Sequence, residues 1–193
     1  MLETGLPCDD LLTGPGARER AAEVRRRLGL PERARVLLYV AREHDTLDAG
    51  RLAARLTGDD VLLVRHPAGA HPSGTRTDGA RMWDVCGHPD PHELYLAADV
   101  LIAGDVAAVF DFAVTGRPVL LHAGRPLDLW LLPEAPGPVL HGIAGGEDEV
   151  LDTLAHLGEV ADKHRDAYAA FLARYRPMAD GHAARRVVDA LFG

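Results

Sequence analysis

Four of the ten histidines fall in turns that directly follow short apolar runs. They are His44 in Arg42-Glu43-His44, His66 in Arg65-His66-Pro67, His88 in Gly87-His88-Pro89-Asp90, and His122 in His122-Ala123-Gly124-Arg125. Gly104-Asp105 forms a fifth such turn. An imidazole at the end of a strand can donate a hydrogen bond to a phosphate oxygen and stabilise the charge that develops as a phosphate leaves. Metal chemistry is a poorer fit. These four histidines show no H-x-H or H-x-x-x-H spacing among themselves, and neither Cys8 nor Cys86 pairs with them, so no metal site is expected. No G-x-G-x-x-G follows the first apolar run and no G-x-S-x-G occurs, which argues against a dinucleotide fold and an α/β-hydrolase. No cofactor is expected.

Such turns acquire meaning from the elements that hold them. The apolar runs are Val36–Val40, Val61–Val64, Met82–Val85, Val100–Ala103, Pro118–His122 and Pro138–Leu140. Most do not alternate polar with apolar, which suits strands covered on both faces. Between them lie helical patterns over Arg18–Leu28, Leu47–Leu56, Pro91–Ala98, Asp105–Val114, Glu147–Leu157, Asp162–Tyr175 and His182–Phe192. Gly29 and Pro31 stop the first, and Pro91 suits a first helical position. Alternating β and α units predict an α/β fold: one doubly wound, mainly parallel, six-stranded Rossmann-like sheet. In such sheets ligands sit beyond the carboxyl ends of the strands, where these turns lie.

Composition bounds the reading further. The 193 residues suit one domain, with 1–17 as a lead-in segment and 159–193 as C-terminal helices packing on it. Hydrophobic content is 47% and charged content 26%, ordinary for a globular chain. A net charge of −8 argues against a non-specific grip on nucleic acid. No run of 18 or more apolar residues occurs, so no membrane span is expected, and the N-terminus shows no signal-peptide pattern. Two cysteines without metal-like spacing read as reduced thiols of a cytoplasmic protein. Peripheral association with the inner face of the membrane stays open.

Several stretches, in order, resemble the poly(glycerophosphate) glycerophosphotransferase family, which builds teichoic-acid-type polymers. Thr4-Gly5-Leu6-Pro7 with Asp10 resembles the opening of its donor domain, and Arg65-His66-Pro67 its arginine/lysine-x-histidine-proline turn. Met82-Trp83-Asp84-Val85, Pro89-Asp90, Glu93-Leu94-Tyr95 and Asp99-Val100-Leu101-Ile102 follow its central segment. Phe110-Asp111-Phe112-Ala113, Gly116-Arg117-Pro118, Pro136-Gly137-Pro138-Val139, Asp180-Gly181 and Arg186-Val187-Val188-Asp189 complete the set.

The resemblance implies the donor-binding, C-terminal half of a two-domain GT-B transferase, with a separate acceptor-binding domain as partner and CDP-glycerol or a related nucleotide as donor. It implies His66 as the catalytic histidine at the donor phosphates. Donor binding falls on Arg65, Gly104, Asp105, Ala107, Ala108, Asp111 and Arg186, with Asp111 at the ribose. The family carries two serines at the start of the helix after Gly104. Here they fall on Val106 and Ala107 without a gap, or on Ala107 and Ala108 with one deletion, so both hydroxyls are lost. The alternative is a non-catalytic, degenerate Rossmann module that binds a nucleotide weakly or serves as an interaction domain.

Overall fold

The structure, a computed structural model, describes residues 3–42, 45–66, 81–104, 106–122 and 146–193. Five parallel strands form one sheet: β1 (Arg35–Val40), β2 (Asp60–Arg65), β3 (Met82–Asp84), β4 (Val100–Ala103) and β5 (Val119–Leu121). Their order is β3-β2-β1-β4-β5. The chain builds outward from β1 to β3, then crosses back to lay β4 on the other side of β1. The switch point of this doubly wound sheet therefore lies between the carboxyl ends of β1 and β4. Among the described residues the sheet has five strands against the six expected. The sixth, Pro138–Leu140, lies outside the described residues, as do Glu43-His44, Pro67, Asp105, Ala123-Gly124-Arg125 and the 69–79 loop.

Successive residues of β1 explain why its sequence reads as an unbroken apolar run. Val36, Leu38 and Val40 join one core with Leu63, Leu101, Phe112 and Phe171. Leu37 and Tyr39 join a second core with Leu62, Ile102, Leu52 and Val150. The strand's period of two thus feeds two hydrophobic layers at once. The first layer is covered by α1 (Asp9–Thr13), α2 (Ala17–Arg27), α4 (Pro91–Ala97), α5 (Val106–Ala113) and α7 (Leu157–Tyr175); the second by α3 (Ala49–Arg55) and α6 (Glu147–Ala155). The chain closes with α8 (Ala183–Phe192).

Helix boundaries follow local chemistry. Asp90 caps α4 by accepting the His92 N–H at 2.9 Å, and Pro91 fixes φ at the first helical position. Such a cap contributes about 1 kcal/mol. Asp48 caps α3 through the Arg51 N–H, so that helix starts at Ala49 rather than Leu47. Gly116, at φ 68°, ends the α5 turn in a conformation that favours glycine. The α1 turn was not legible as a helix because its pattern is one turn long. The α7 helix begins at Leu157, five residues before the expected Asp162.

Candidate functional site

The carboxyl edge of the sheet holds a cluster of polar side chains that close on one another. Tyr39, near the end of β1, is almost fully buried, and its hydroxyl donates to the Asp45 carboxylate at 3.0 Å. The same carboxylate accepts the Arg42 N–H at 2.8 Å. It lies directly against Gly104, where any Cβ would run into it. Glycine permits that approach; a side chain here would have to displace the carboxylate. His122, just past β5, is 2% exposed, with Nε2 3.4 Å from the Thr46 hydroxyl and its ring edge-on to Tyr39. Burial, with the Asp45 carboxylate adding to it, pushes the Tyr39 phenol far above its ordinary range. It therefore remains a neutral donor at any working pH. A negative charge is thus fixed at the switch point, between the ends of β1 and β4.

The expected donor residues scatter around this edge. Arg65 ends β2 and donates to the His88 carbonyl at 2.9 Å, tying two turns together. His66 follows it, half-buried, with its N–H donating to the Cys86 sulfur at 3.1 Å. The strand order places His66 two strands from Gly104, roughly 10 Å at about 4.8 Å per strand. Gly104 follows β4, its N–H donating to the Val40 carbonyl. Asp105 lies outside the described residues. In the first turn of α5, Ala107 is exposed whereas Ala108 is 2% exposed and packs in the core. A hydroxyl at 108 would be buried, so of the two serine alignments the ungapped one fits the packing better.

Two other expected site residues have structural partners. Asp111, one turn into α5, accepts from Arg176 at 2.8 Å, and Arg176 also contacts the buried Asp9 at 3.2 Å. Burial raises the Asp9 pKa and Arg176 opposes the rise. This carboxylate–guanidinium–carboxylate bridge joins α1, α5 and the end of α7. Arg186, on α8, donates to the carbonyls of Thr4 and Met178 and to the Asp180 carboxylate, fastening the lead-in segment to the C-terminal helix. His88 pairs with Glu93 at 2.8 Å, and Asp90 is occupied as the α4 cap. Sequence reasoning reached the turns but missed Asp45. Its signal is its position, a short acid five residues past the buried end of β1. No group of three or more His, Cys, Asp or Glu side chains suited to a metal ion occurs among the described residues.

Comparison with known proteins adds a lineage to this geometry. The profile of the CDP-glycerol:poly(glycerophosphate) glycerophosphotransferase family matches residues 1–193. The teichoic acid glycerol-phosphate transferase of Staphylococcus aureus (strain NCTC 8325 / PS 47) is 26% identical over 216 residues, spanning 100% of this chain and 54% of the relative. The teichoic acid poly(glycerol phosphate) polymerase of Bacillus subtilis (strain 168) is 23% identical over 215 residues, spanning 100% and 28%. A solved structure of the wall teichoic acid polymerase TagF superposes with a TM-score of 0.78 at 24% identity, over 98% of this chain and 50% of TagF. A TagF variant soaked with CDPG gives 0.76, also at 24% identity, over 98% and 49%. These superpositions show a shared fold. The chain spans about half the length of the Staphylococcus relative and about a quarter of the Bacillus one.

Proposed function

The chain belongs to the CDP-glycerol:poly(glycerophosphate) glycerophosphotransferase family, and from that premise we propose that it is the donor side of such a transferase. It would hold the diphosphate of a CDP-glycerol-type donor beyond the carboxyl ends of β1, β2 and β4. The observation that carries this reading is the full-length family match on a parallel sheet whose switch point opens at Gly104 and the start of α5. His66 would donate to a donor phosphate, and Arg65 would fix the turn that presents it. Asp111 and Arg186 already hold structural partners, so their part in the donor site would be to shape it rather than to grip the ligand.

In the whole transferase an acceptor hydroxyl would attack the β-phosphate of CDP-glycerol. The new P–O bond forms as the bond to CMP breaks, and the hydroxyl proton passes to a base. Holding acceptor and donor in line can lower the barrier by about 7–11 kcal/mol. The 193-residue chain without an acceptor-binding partner is therefore expected to show no turnover. Binding is less affected. Calorimetric titration with CDP, CMP, CDP-glycerol and UDP should give a CDP affinity near millimolar, about −4 kcal/mol. Ala107→Ser restores a hydroxyl at the position both alignments share and should tighten CDP. No heat with any cytidine nucleotide at several times that concentration, or UDP binding as well as CDP, would sink the reading.

A further inference from the structure

Beside the amino edge of the sheet, at the opposite end from Gly104, α2 borders a cleft of about 640 Å³. Its rim carries Arg18, Arg25, Arg26 and Arg117, and its floor is apolar through Leu30 and Leu96. We infer that this cleft is a second binding site, for an organic phosphate whose phosphate group is held by the arginines and whose apolar body lies on the floor. The inference does not depend on the donor reading.

Two of the four arginines have structural work. Arg25 donates to the Ala97 carbonyl and pairs with Asp99 at 2.7 Å. Arg117 donates to the carbonyls of Tyr95, Leu96 and Ala98, closing the C-terminus of α4. The other two are different. Arg18 and Arg26 are exposed and have no hydrogen bond or ion pair among the described residues. They stand eight positions apart on one face of α2, about 12 Å along the axis at 1.5 Å per residue. Ala22 lies between them, so no bulk separates the charges from the cleft. Arg18 sits in the first turn of its helix, where the macrodipole disfavours a cation, so helix stability does not account for it.

Acids balance these charges only in part. Glu32 also lines the cleft, and Asp99 is already engaged by Arg25 and by the Val36 N–H. Burial lowers the Arg117 pKa; Asp99 opposes the shift and Arg25 adds to it. An anion in the cleft would relieve that repulsion. In a chain of net charge −8, such an excess of positive charge is local rather than compositional. A phosphate offers several oxygens to these planar forks at once. The volume falls within the range of small-molecule sites. Arg18 and Arg117 also line an adjoining cleft of about 640 Å³ beside Gly16 and Thr115, where Glu19 is the one acid, so a longer phosphodiester has room to continue with two cations against one carboxylate.

The test has two arms on the full chain. Calorimetry with phenyl phosphate reads a soluble organic phosphate with an apolar body, and co-sedimentation with phosphatidylglycerol vesicles, against phosphatidylcholine, reads a lipid headgroup. The variants are Arg18→Gln/Arg26→Gln and Ala22→Glu, all on the exposed face and clear of the Arg25 and Arg117 contacts. Unchanged melting curves establish that they fold. Binding in at least one arm is expected, weakened tenfold or more by each variant, while CDP binding stays as in the wild type. Binding in neither arm, or equal binding by wild type and both variants, overturns the inference. A parallel loss of CDP binding also overturns it, because the arginines would then belong to the donor site.

Discussion

The two ends of the one sheet carry opposite chemistry. At the carboxyl end, a phenol, a carboxylate and an imidazole crowd the exits of β1 and β5, and Asp45 places its charge against Gly104. At the amino end, guanidinium groups gather around α2 and the start of β5. Helices that run antiparallel to the strands point their positive N-termini at the carboxyl edge and their negative C-termini at the amino edge. Cations at the amino edge partly answer that polarity, as Arg117 does at the end of α4. An acid at the switch point goes with the same polarity but against an anionic ligand. On the proposed donor reading, the place that would hold a diphosphate thus has repulsion built into it, and arginines gather at another.

The comparison can be broken most severely at Arg176. Its side chain and that of Asp9 are 9% and 4% exposed, so removing the cation strands a buried carboxylate. Arg176→Met is expected to cost about 3–5 kcal/mol, read as a fall in the urea midpoint. Adding Asp9→Asn should recover part of the loss, because the stranded charge is gone. A cost below about 1 kcal/mol would mean that the bridge is loose and that Asp111 is open to a ligand, which would return α5 to the donor site. At the amino edge, Arg117→Met should cost about 2–3 kcal/mol, since three carbonyls at the end of α4 lose a charged donor. A smaller loss would show that Arg117 is held for a ligand more than for the helix.

Much of this frame was legible beforehand, for identifiable reasons. Runs such as Val36–Val40 are apolar at every position because each side of the strand meets a separate core, and few arrangements besides a doubly covered strand produce that pattern. The ordered motifs from Thr4 to Asp189 pointed to the family that the whole-chain match shows. Side-chain partnerships were not legible. Asp111 and Arg186 match motif positions, yet what they bind is decided by Arg176 and Thr4, 65 and 182 residues away. Asp45 carried no motif, and its contact with Gly104 depends on the path of the chain after β1. The arginine cleft was hidden for the same reason. Arg18 and Arg26 read as one side of an amphipathic helix until β5 brings Arg117 beside them.

A milder perturbation addresses the carboxyl end alone. Asp45→Asn removes the charge while its amide oxygen can still accept from Tyr39, so the fold should change little. Two unit charges about 4 Å apart in a water-like medium interact by about 1 kcal/mol, so CDP binding should tighten about fivefold. The gain should shrink in high salt, where exposed charges are screened. Calorimetry at two salt concentrations reads both effects. Unchanged affinity would place the donor phosphates away from Gly104, and the opposition between the two ends would lose its functional meaning.

The smallest effect expected is at Arg186 and Asp180, and it calibrates what an exposed arginine pair contributes. Asp180 is held at about 2, below its ordinary 3.8, first by the hydrogen bond from Arg186, with burial opposing and the His182 N–H assisting. A folded-state value below the unfolded one means the pair adds stability that is present above about pH 4. That stability is lost as the pH falls through the folded value, because protonated Asp180 no longer attracts the guanidinium. Carbon NMR of the Asp180 carboxyl group from pH 6 to 2 should give a midpoint near 2 in the wild type, rising toward 3.8 in Arg186→Gln. The melting-temperature difference between the two should narrow as the pH drops below 4. A wild-type midpoint at the ordinary value would remove Arg186 from its clamping role and reopen it as a donor ligand. The expected outcome has a consequence at the other end of the molecule. Arg25 and Asp99 are also partly exposed, at 25% and 40% of their side chains, and solvent weakens such pairs. Stability then gives little reason for Arg18 and Arg26, which hold no such partners among the described residues, and what the cleft binds becomes the better account of those two.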